Sequence, residues 1–356
     1  MSAASIIQGS KEKHPIDTMY MERCLQLAAF GAGYTAPNPM VGAVLVHRGR
    51  IIGEGYHQEY GGPHAEVRCI SSVLPKDRSL IPLSTLYVSL EPCSHYGKTP
   101  PCTKLILEHQ IRNVVIGCRD PFPLVDGRGI ETLKTAGVDL IFPVLEKESQ
   151  EMNRRFFTFH REKRPYVVLK WARSADGKIA GADGTGVKIS GPLSNRLVHR
   201  WRTEEAGILI GKNTAMRDNP QLTARLWTGK NPVRIVLDGF LSLPEGLHVF
   251  DRKVPTVILN NVRDELSENL IRKKTDTRDT DAILESLYGL GIQSVLVEGG
   301  ASILQSFIDS GRWDEIRTIT AENLQMPGGL PGPVMPACRL TKTETWGSDT
   351  VRWFEK

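Results

Sequence analysis

STLYVSLEPCSHYGKTPPCTKLILEHQ, residues 84–110, places two cysteines, Cys93 and Cys102, between a strand pattern and a helical one, with eight residues separating them. Cys93 follows the apolar strand and Cys102 opens the helix. Polar residues, His95 and Lys98 among them, crowd the loop between. A strand that runs into a ligand-rich loop and then a helix is one unit of an α/β fold.

The same alternation continues on both sides. Asp17 reads as the cap of a helix through YMERCLQLAAFG. MVGAVLV and IIGEGYH read as strands around the turn HRGR, and HAEVRCISSVL as a helix with Val67, Ile70, Val73 and Leu74 inward. NVVIGC, IETLKTAG and VDLIFPV follow as strand, helix and strand. The charge-rich stretch LEKESQEMNRRFFTFHREKRP then interrupts the pattern. Beyond it YVVLKWA, GILIG, PVRIVLD, TVILNN, SVLVEGG and EIRTITA read as strands, with LSNRLVHRWRTEE, DAILESLYGL and SILQSFIDSG as helices between them. The pattern predicts two α/β domains, residues 1–148 and 165–356, joined by a linker at 149–164. A length of 356 residues also exceeds what one hydrophobic core usually serves.

Composition bounds the function. A net charge of +5 suits small anionic substrates and is too weak to argue for nucleic acid. No apolar run approaches the roughly 20 residues that span a bilayer. The opening MSAASIIQGSKEKHP lacks the apolar region of a signal peptide and reads as a frayed lead-in. Six sparse cysteines argue for a reducing compartment rather than a disulfide framework, so a cytoplasmic protein is expected.

His64-Ala65-Glu66 stands at the start of a predicted helix. One imidazole and the thiolates of Cys93 and Cys102 are ligands that zinc prefers. Three protein ligands with an open position are the catalytic arrangement, and zinc brings a water there to a pKa of around 7. Glu66 can serve as general acid and base. H-x-E followed by P-C and a second cysteine is the pattern of zinc deaminases. Their usual spacing is C-x-x-C, so the longer loop needs its own reason. Lys98 could meet a phosphate, and His95 could hydrogen-bond a heterocycle or ribose. A solvated loop lysine is an equal reading of Lys98, and a fourth ligand to a structural zinc is an alternative reading of His95.

APNPMVGAV (36–44), GEGYHQEYGGPHAE (53–66) and EPCSHYGKTPPC (91–102) resemble the deaminase half of the bifunctional riboflavin-biosynthesis deaminase–reductases. RPYVVLKWARSADGKIA (164–180), RTEEAGILIGKNTAMRDNPQLTAR (202–225), PVRIVLDG (232–239) and VLVEGGASILQSFIDSGRWDEI (295–316) resemble the reductase half. The resemblance implies a cytidine-deaminase-like three-layer domain followed by a dihydrofolate-reductase-like α/β domain. It implies Zn2+ on His64, Cys93 and Cys102, with Glu66 shuttling protons, and a substrate pocket lined by Asn38, His57, His95, Lys98 and Asp120. In the second half it implies NADPH, with Ala172, Lys188, Thr214, Asp218, Gly299, Gly300, Ala301 and Ser302 at cofactor positions. Arg202, Leu222, Arg225 and Glu298 fall at substrate positions, the two arginines toward a phosphate. Lys170 and Asp218 are implied to orient the opened ribose and pass a proton.

The implied chemistry is hydrolytic removal of an amine from a phosphorylated diaminopyrimidinone, then reduction of its ribosyl group to ribityl. A homo-oligomer without nucleic-acid or membrane partners is expected. The chain departs from the family pattern at Phe122, Gly186, Lys188 and Arg217. Two rivals follow from the same residues. One is a nucleoside or transfer-RNA base deaminase with an unrelated appendage. The other is a non-catalytic metal-binding module, which would need all four zinc positions filled by protein.

Overall fold

The computed structural model describes residues 15–96, 100–123 and 125–356. The lead-in at 1–14 and Lys98 lie outside the described residues. The chain divides into two compact units, Met1–Arg154 and Arg155–Lys356.

The first unit runs α1 (Pro15–Ala29), β1 (Gly42–His47), β2 (Arg50–Tyr56), α2 (Ala65–Ser71), β3 (Thr85–Leu90), α3 (Cys102–Glu108), β4 (Asn113–Cys118), α4 (Arg128–Thr135), β5 (Asp139–Ile141) and α5 (Glu146–Met152). Its sheet has the order β2-β1-β3-β4-β5, antiparallel across β2, β1 and β3 and parallel from β3 to β5. Arg48 and Gly49 both have positive φ and close the β1–β2 hairpin with His47 opposite Arg50. That is the two-residue turn whose twist matches the strands. Successive strand residues point to opposite faces. Ala43, Leu45, Leu86, Val88, Val114 and Ile116 pack toward Cys69, Ile106 and Leu133 of α2, α3 and α4. Val44, Val46, Tyr87 and Val115 pack the other way, onto Tyr20, Met21, Cys24 and Leu27 of α1. The result is the expected three layers.

Two local expectations are corrected. α1 begins at Pro15, so Asp17 lies inside the helix and not at its cap. α2 stops at Ser71 and a 3₁₀ segment, Pro75–Leu83, follows, which leaves Leu74 exposed. Residues 149–164 hold the end of α5 and α6 (Arg154–Glu162), and the division between the two units falls among them.

The second unit continues with β6 (Tyr166–Ser174), β7 (Lys178–Ala180), α7 (Pro192–Glu204), β8 (Gly207–Gly211), α8 (Lys212–Asp218), β9 (Val233–Leu237), β10 (Thr256–Asn260), β11 (Glu265–Ser267), β12 (Leu270–Lys274), α9 (Thr280–Gly289), β13 (Ser294–Val297), α10 (Ala301–Asp309), β14 (Glu315–Ala321), β15 (Leu330–Pro331), β16 (Arg339–Trp346) and β17 (Asp349–Glu355). Its large sheet has the order β11-β12-β10-β9-β8-β13-β6-β14-β17-β16. The central strands, buried on both faces, are near-continuous apolar runs, as parallel sheets require. Val167, Leu169, Leu209, Val295 and Val297 face α9 and α10 through Ile283, Leu287, Leu304 and Phe307. Tyr166, Val168 and Leu296 face Leu197, Val198 and Trp201 of α7. α6 is tied to this unit by Arg155, whose Nε donates to Glu205 Oε2 at 2.8 Å just beyond α7.

Candidate active sites

The first site is built at one end of the first sheet. β2 carries Gly53 and Gly55 where α2 crosses it. A Cβ on Gly55 would stand 2.3 Å from Cys69 N, and one on Gly53 2.5 Å from Cys69 O. Only glycine lets the helix sit this close, which sets where His64, at the N-cap of α2, arrives. β3 delivers Cys93 and α3 begins at Cys102. His64 Nδ1 is 3.6 Å from Cys93 Sγ and 3.4 Å from Cys102 Sγ. The three donor atoms lie within 4.8 Å of one another. Cys102 N donates to Cys93 Sγ at 3.3 Å. Hydrogen bonding with Cys102 holds the Cys93 thiol down to about 4, while Cys102, bonded to that sulfur and buried, is pushed up. An imidazole nitrogen and two sulfurs this close form a donor set that fits zinc. Among the described residues no fourth His, Cys, Asp or Glu joins the group. Glu66 is 3% exposed, and burial pushes its carboxyl up.

Around this centre the expected pocket residues divide by what they touch. His57 is buried with both ring nitrogens engaged, Nδ1 at 3.1 Å from Pro63 O and Nε2 at 3.1 Å from Asn38 Nδ2. The carbonyl can only accept, so Nδ1 donates and Nε2 accepts from Asn38. His57 therefore orients Asn38 rather than offering a group of its own. His95 Nδ1 is buried and has no partner among the described residues. Its ring centroid lies 6.1 Å from that of Phe122. Asp120 is buried, accepts from Phe122 N at 2.7 Å, and is pushed up to about 7 by burial.

The second site gathers residues that are far apart in sequence. Lys170 stands in β6, Arg202 in α7 and Glu298 after β13. Arg202 Nε and Nη2 donate to the two oxygens of Glu298 at 2.8 and 2.9 Å, and its Nη1 donates to Thr223 O at 3.0 Å. Lys170 Nζ is 3.6 Å from Glu298 Oε2. Burial alone would raise Glu298, but Arg202 and then Lys170 outweigh it and hold the carboxylate at about 2. Burial lowers Lys170, and Glu298 offsets part of that.

Two of the implied substrate contacts change here. The fork of Arg202 is closed on Glu298 and is not open toward a phosphate, whereas Arg225 is exposed and its Nη1 donates to Thr223 Oγ1 at 3.4 Å. Leu222 is buried among Ile208, Ile210 and Val236, so its side chain belongs to the core.

The implied cofactor residues sit where β8 and β13, which pair in parallel, end. Gly300 has φ +60 and stands close to Thr214 of α8, 3.6 Å from its Oγ1 by an added Cβ. Ala301 and Ser302 open α10. Asp218 ends α8 beside Gly186, where a Cβ would lie 2.8 Å from Asp218 Oδ1. Arg217 Nη1 donates to Gly184 O at 2.9 Å. The departures at Gly186 and Arg217 are thus adjacent in space. Lys188 is exposed, and Ala172 lies in β6.

Sequence reasoning missed His199. It is 2% exposed, one helical turn before Arg202, and its Nδ1 accepts from Leu226 N at 3.4 Å. Burial, then Arg202, pushes it down to about 4. The i,i+3 spacing within HRWR was the available signal.

Residues 15–118 match the family described as the cytidine and deoxycytidylate deaminase zinc-binding region, and residues 165–351 match the RibD C-terminal domain. The riboflavin biosynthesis protein RibD of Aquifex aeolicus is 38% identical over 96% of this chain and 99% of its own length. That of Bacillus amyloliquefaciens is 41% identical over 85% of this chain and 83% of its own. The chain belongs to the RibD family. The crystal structure of a diaminohydroxyphosphoribosylaminopyrimidine deaminase/5-amino-6-(5-phosphoribosylamino)uracil reductase from Thermotoga maritima is similar to it with a TM-score of 0.86, at 37% identity over 96% of this chain and 98% of that one. Acinetobacter baumannii RibD gives a TM-score of 0.87 at 29% identity over the same shares. As a RibD, the chain joins a zinc-binding deaminase domain to an NADPH-dependent reductase domain and serves riboflavin biosynthesis as both hydrolase and oxidoreductase.

Proposed function

We propose that the first unit removes the pyrimidine amine of diaminohydroxyphosphoribosylaminopyrimidine, and that the second reduces the ribosyl group of the resulting 5-amino-6-(5-phosphoribosylamino)uracil, the two reactions named for the Thermotoga maritima relative. The observation that carries the reading is the His64–Cys93–Cys102 group with buried Glu66 two residues from His64. These three residues would hold zinc, which when bound supplies the Lewis acidity that makes water a nucleophile near neutral pH. Glu66 takes the proton of the attacking water and returns it to the departing amine. A C–O bond forms, the C–N bond breaks and ammonia leaves. Burial favours the carboxyl form that delivers that proton. Asn38, held by His57, and His95, whose buried Nδ1 has no partner among the described residues, are the polar contacts for the heterocycle. Phe122 stands as the apolar wall beside them.

In the second unit NADPH, when bound, would supply a hydride to C1′ of the ring-opened imine, and Lys170 and Asp218 would orient the opened ribose and pass a proton to its nitrogen, so that the ribosyl group becomes ribityl. Thr214, Asp218, Ala172, Lys188 and the Gly299–Ser302 turn hold the cofactor in this reading. Lys170 and Glu298 meet the sugar, Arg202 fixes Glu298, and Arg225 takes the phosphate with its open guanidinium. We further read the protein as a cytoplasmic homo-oligomer that acts on this small phosphorylated substrate and binds neither nucleic acid nor membrane. The deaminase is assigned to residues 1–148 and the reductase to 165–356. No helix among the described residues is long and apolar enough to cross a membrane.

The test is one coupled assay on the pyrimidine phosphate, with ammonia release and NADPH oxidation scored separately. Glu66→Ala lowers ammonia release by roughly 10²–10⁴-fold, and purified deaminated intermediate still drives NADPH oxidation at the wild-type rate. Ammonia release that survives the substitution contradicts the assignment.

A further inference from the structure

One buried carboxylate is used by neither reaction. Glu91, the residue after β3, is 4% exposed. Its backbone continues the ladder with β4, through Glu91 N to Cys118 O at 3.0 Å. Its side chain reaches across to the far loop. Oε2 accepts from Asp120 N at 3.2 Å and Gly127 N at 3.0 Å, and Oε1 accepts from Gly129 N at 2.9 Å and Ile130 N at 3.2 Å. Four backbone amides of one loop and helix start thus converge on a carboxylate two residues before Cys93.

The contact is close-packed from the other side as well. A Cβ on Gly129 would stand 2.0 Å from Pro92 O, so the first turn of α4 rests directly on the Pro92 carbonyl. Cys93 O is held in turn by α3, accepting from Thr103 N at 3.1 Å and Thr103 Oγ1 at 3.3 Å. The Pro92–Cys93 peptide is therefore clamped between two helices, and the Glu91 side chain ties it to the segment bearing Asp120.

We propose that Glu91 is a positioning residue of the deaminase, which sets Cys93 at the metal and Asp120 at the pocket wall in one rigid frame. This rests on the deaminase reading above. Hydrogen-bonded groups behind metal ligands fix the ligand's place and typically govern affinity by 10–100-fold. The carboxylate is specific for the task because it offers two acceptor oxygens and no donor. An amide in its place turns a donor toward two of the four N–H groups. The shorter Asp falls a methylene short of the loop.

Wild type, Glu91→Gln and Gly129→Ala are compared by zinc competition against a chromophoric chelator, by the absorption bands of the Co2+-substituted proteins, and by kcat and KM for ammonia release. Thermal unfolding of the first unit serves as the folding control, and reductase turnover on deaminated intermediate as the control for the second unit. Glu91→Gln is expected to weaken zinc about 10–100-fold, shift the cobalt–thiolate bands and raise the deaminase KM, with reductase turnover unchanged. Gly129→Ala, which lifts α4 from Pro92 with Glu91 intact, is expected to act in the same direction and carries the test if Glu91→Gln does not fold. Variants that bind zinc as wild type does, with unchanged bands and kcat/KM, overturn the proposal, as does a lowered melting temperature with nothing else moved. Wild type that binds no zinc removes the site reading and this role together; zinc-competent wild type beside an indifferent Glu91→Gln removes the role alone.

Discussion

His57 illustrates how a side chain can serve a pocket without entering it. Its two nitrogens are spent on Pro63 O and Asn38 Nδ2. His57→Ala leaves the half-buried Asn38 amide unheld, at a cost of about 0.5–1.5 kcal/mol. The expected result is a raised deaminase KM with a smaller change in kcat; an unchanged KM would count against the role. Glu298 is the matching residue of the second unit. Glu298→Gln leaves Arg202 and Lys170 without their carboxylate and is expected to destabilise that unit by about 3–5 kcal/mol, measured by denaturant unfolding, while abolishing NADPH oxidation and sparing ammonia release. His199 predicts a pH dependence. Its folded-state value, pushed down to about 4, lies below the usual 6.5. The unfolded chain therefore binds the proton more readily, and stability is lost as pH falls from 6.5 towards 4. His199→Asn should flatten part of that slope, and an unaltered slope would refute the assignment. At this scale the His64, Cys93 and Cys102 group was legible in the sequence because H-x-E and two cysteines on one strand-to-helix loop stand out locally, even with a spacing longer than the usual C-x-x-C. Lys170, Arg202 and Glu298 share no motif. Only the fold brings them together, so the resemblance alone pointed to them, and it could not say that Arg202 closes on Glu298.

Among elements, α2 depends on two missing side chains. Gly55→Ala sets a methyl 2.3 Å from Cys69 N and must push α2 off β2, carrying His64 and Glu66 with it. Overpacking of this kind costs about 1–3 kcal/mol. Loss of bound zinc and of ammonia release is expected, with the reductase intact; zinc content equal to wild type would contradict it. The β1–β2 hairpin was readable because HRGR supplies the residues that a tight turn demands. β16 and β17 were not. β16 is exposed along most of its length, so its sequence lacks an apolar face, yet β17 pairs with β14 and completes that side of the sheet. α8, seven residues, and β11, three residues, were missed as well.

Across the whole chain, each unit has its own sheet and its own core clusters, and that much the alternation of strands and helices announced on both sides of residue 154. Separate cores imply separable activities, so damage to one site should leave the other working. The central claim is the metal centre at His64, Cys93 and Cys102. The most direct measurement strips the pure protein with a chelator and follows ammonia release and NADPH oxidation before and after zinc is returned. Ammonia release should vanish on stripping and return with zinc, while NADPH oxidation on deaminated intermediate stays constant throughout. Ammonia release that persists in the metal-free protein would contradict the account.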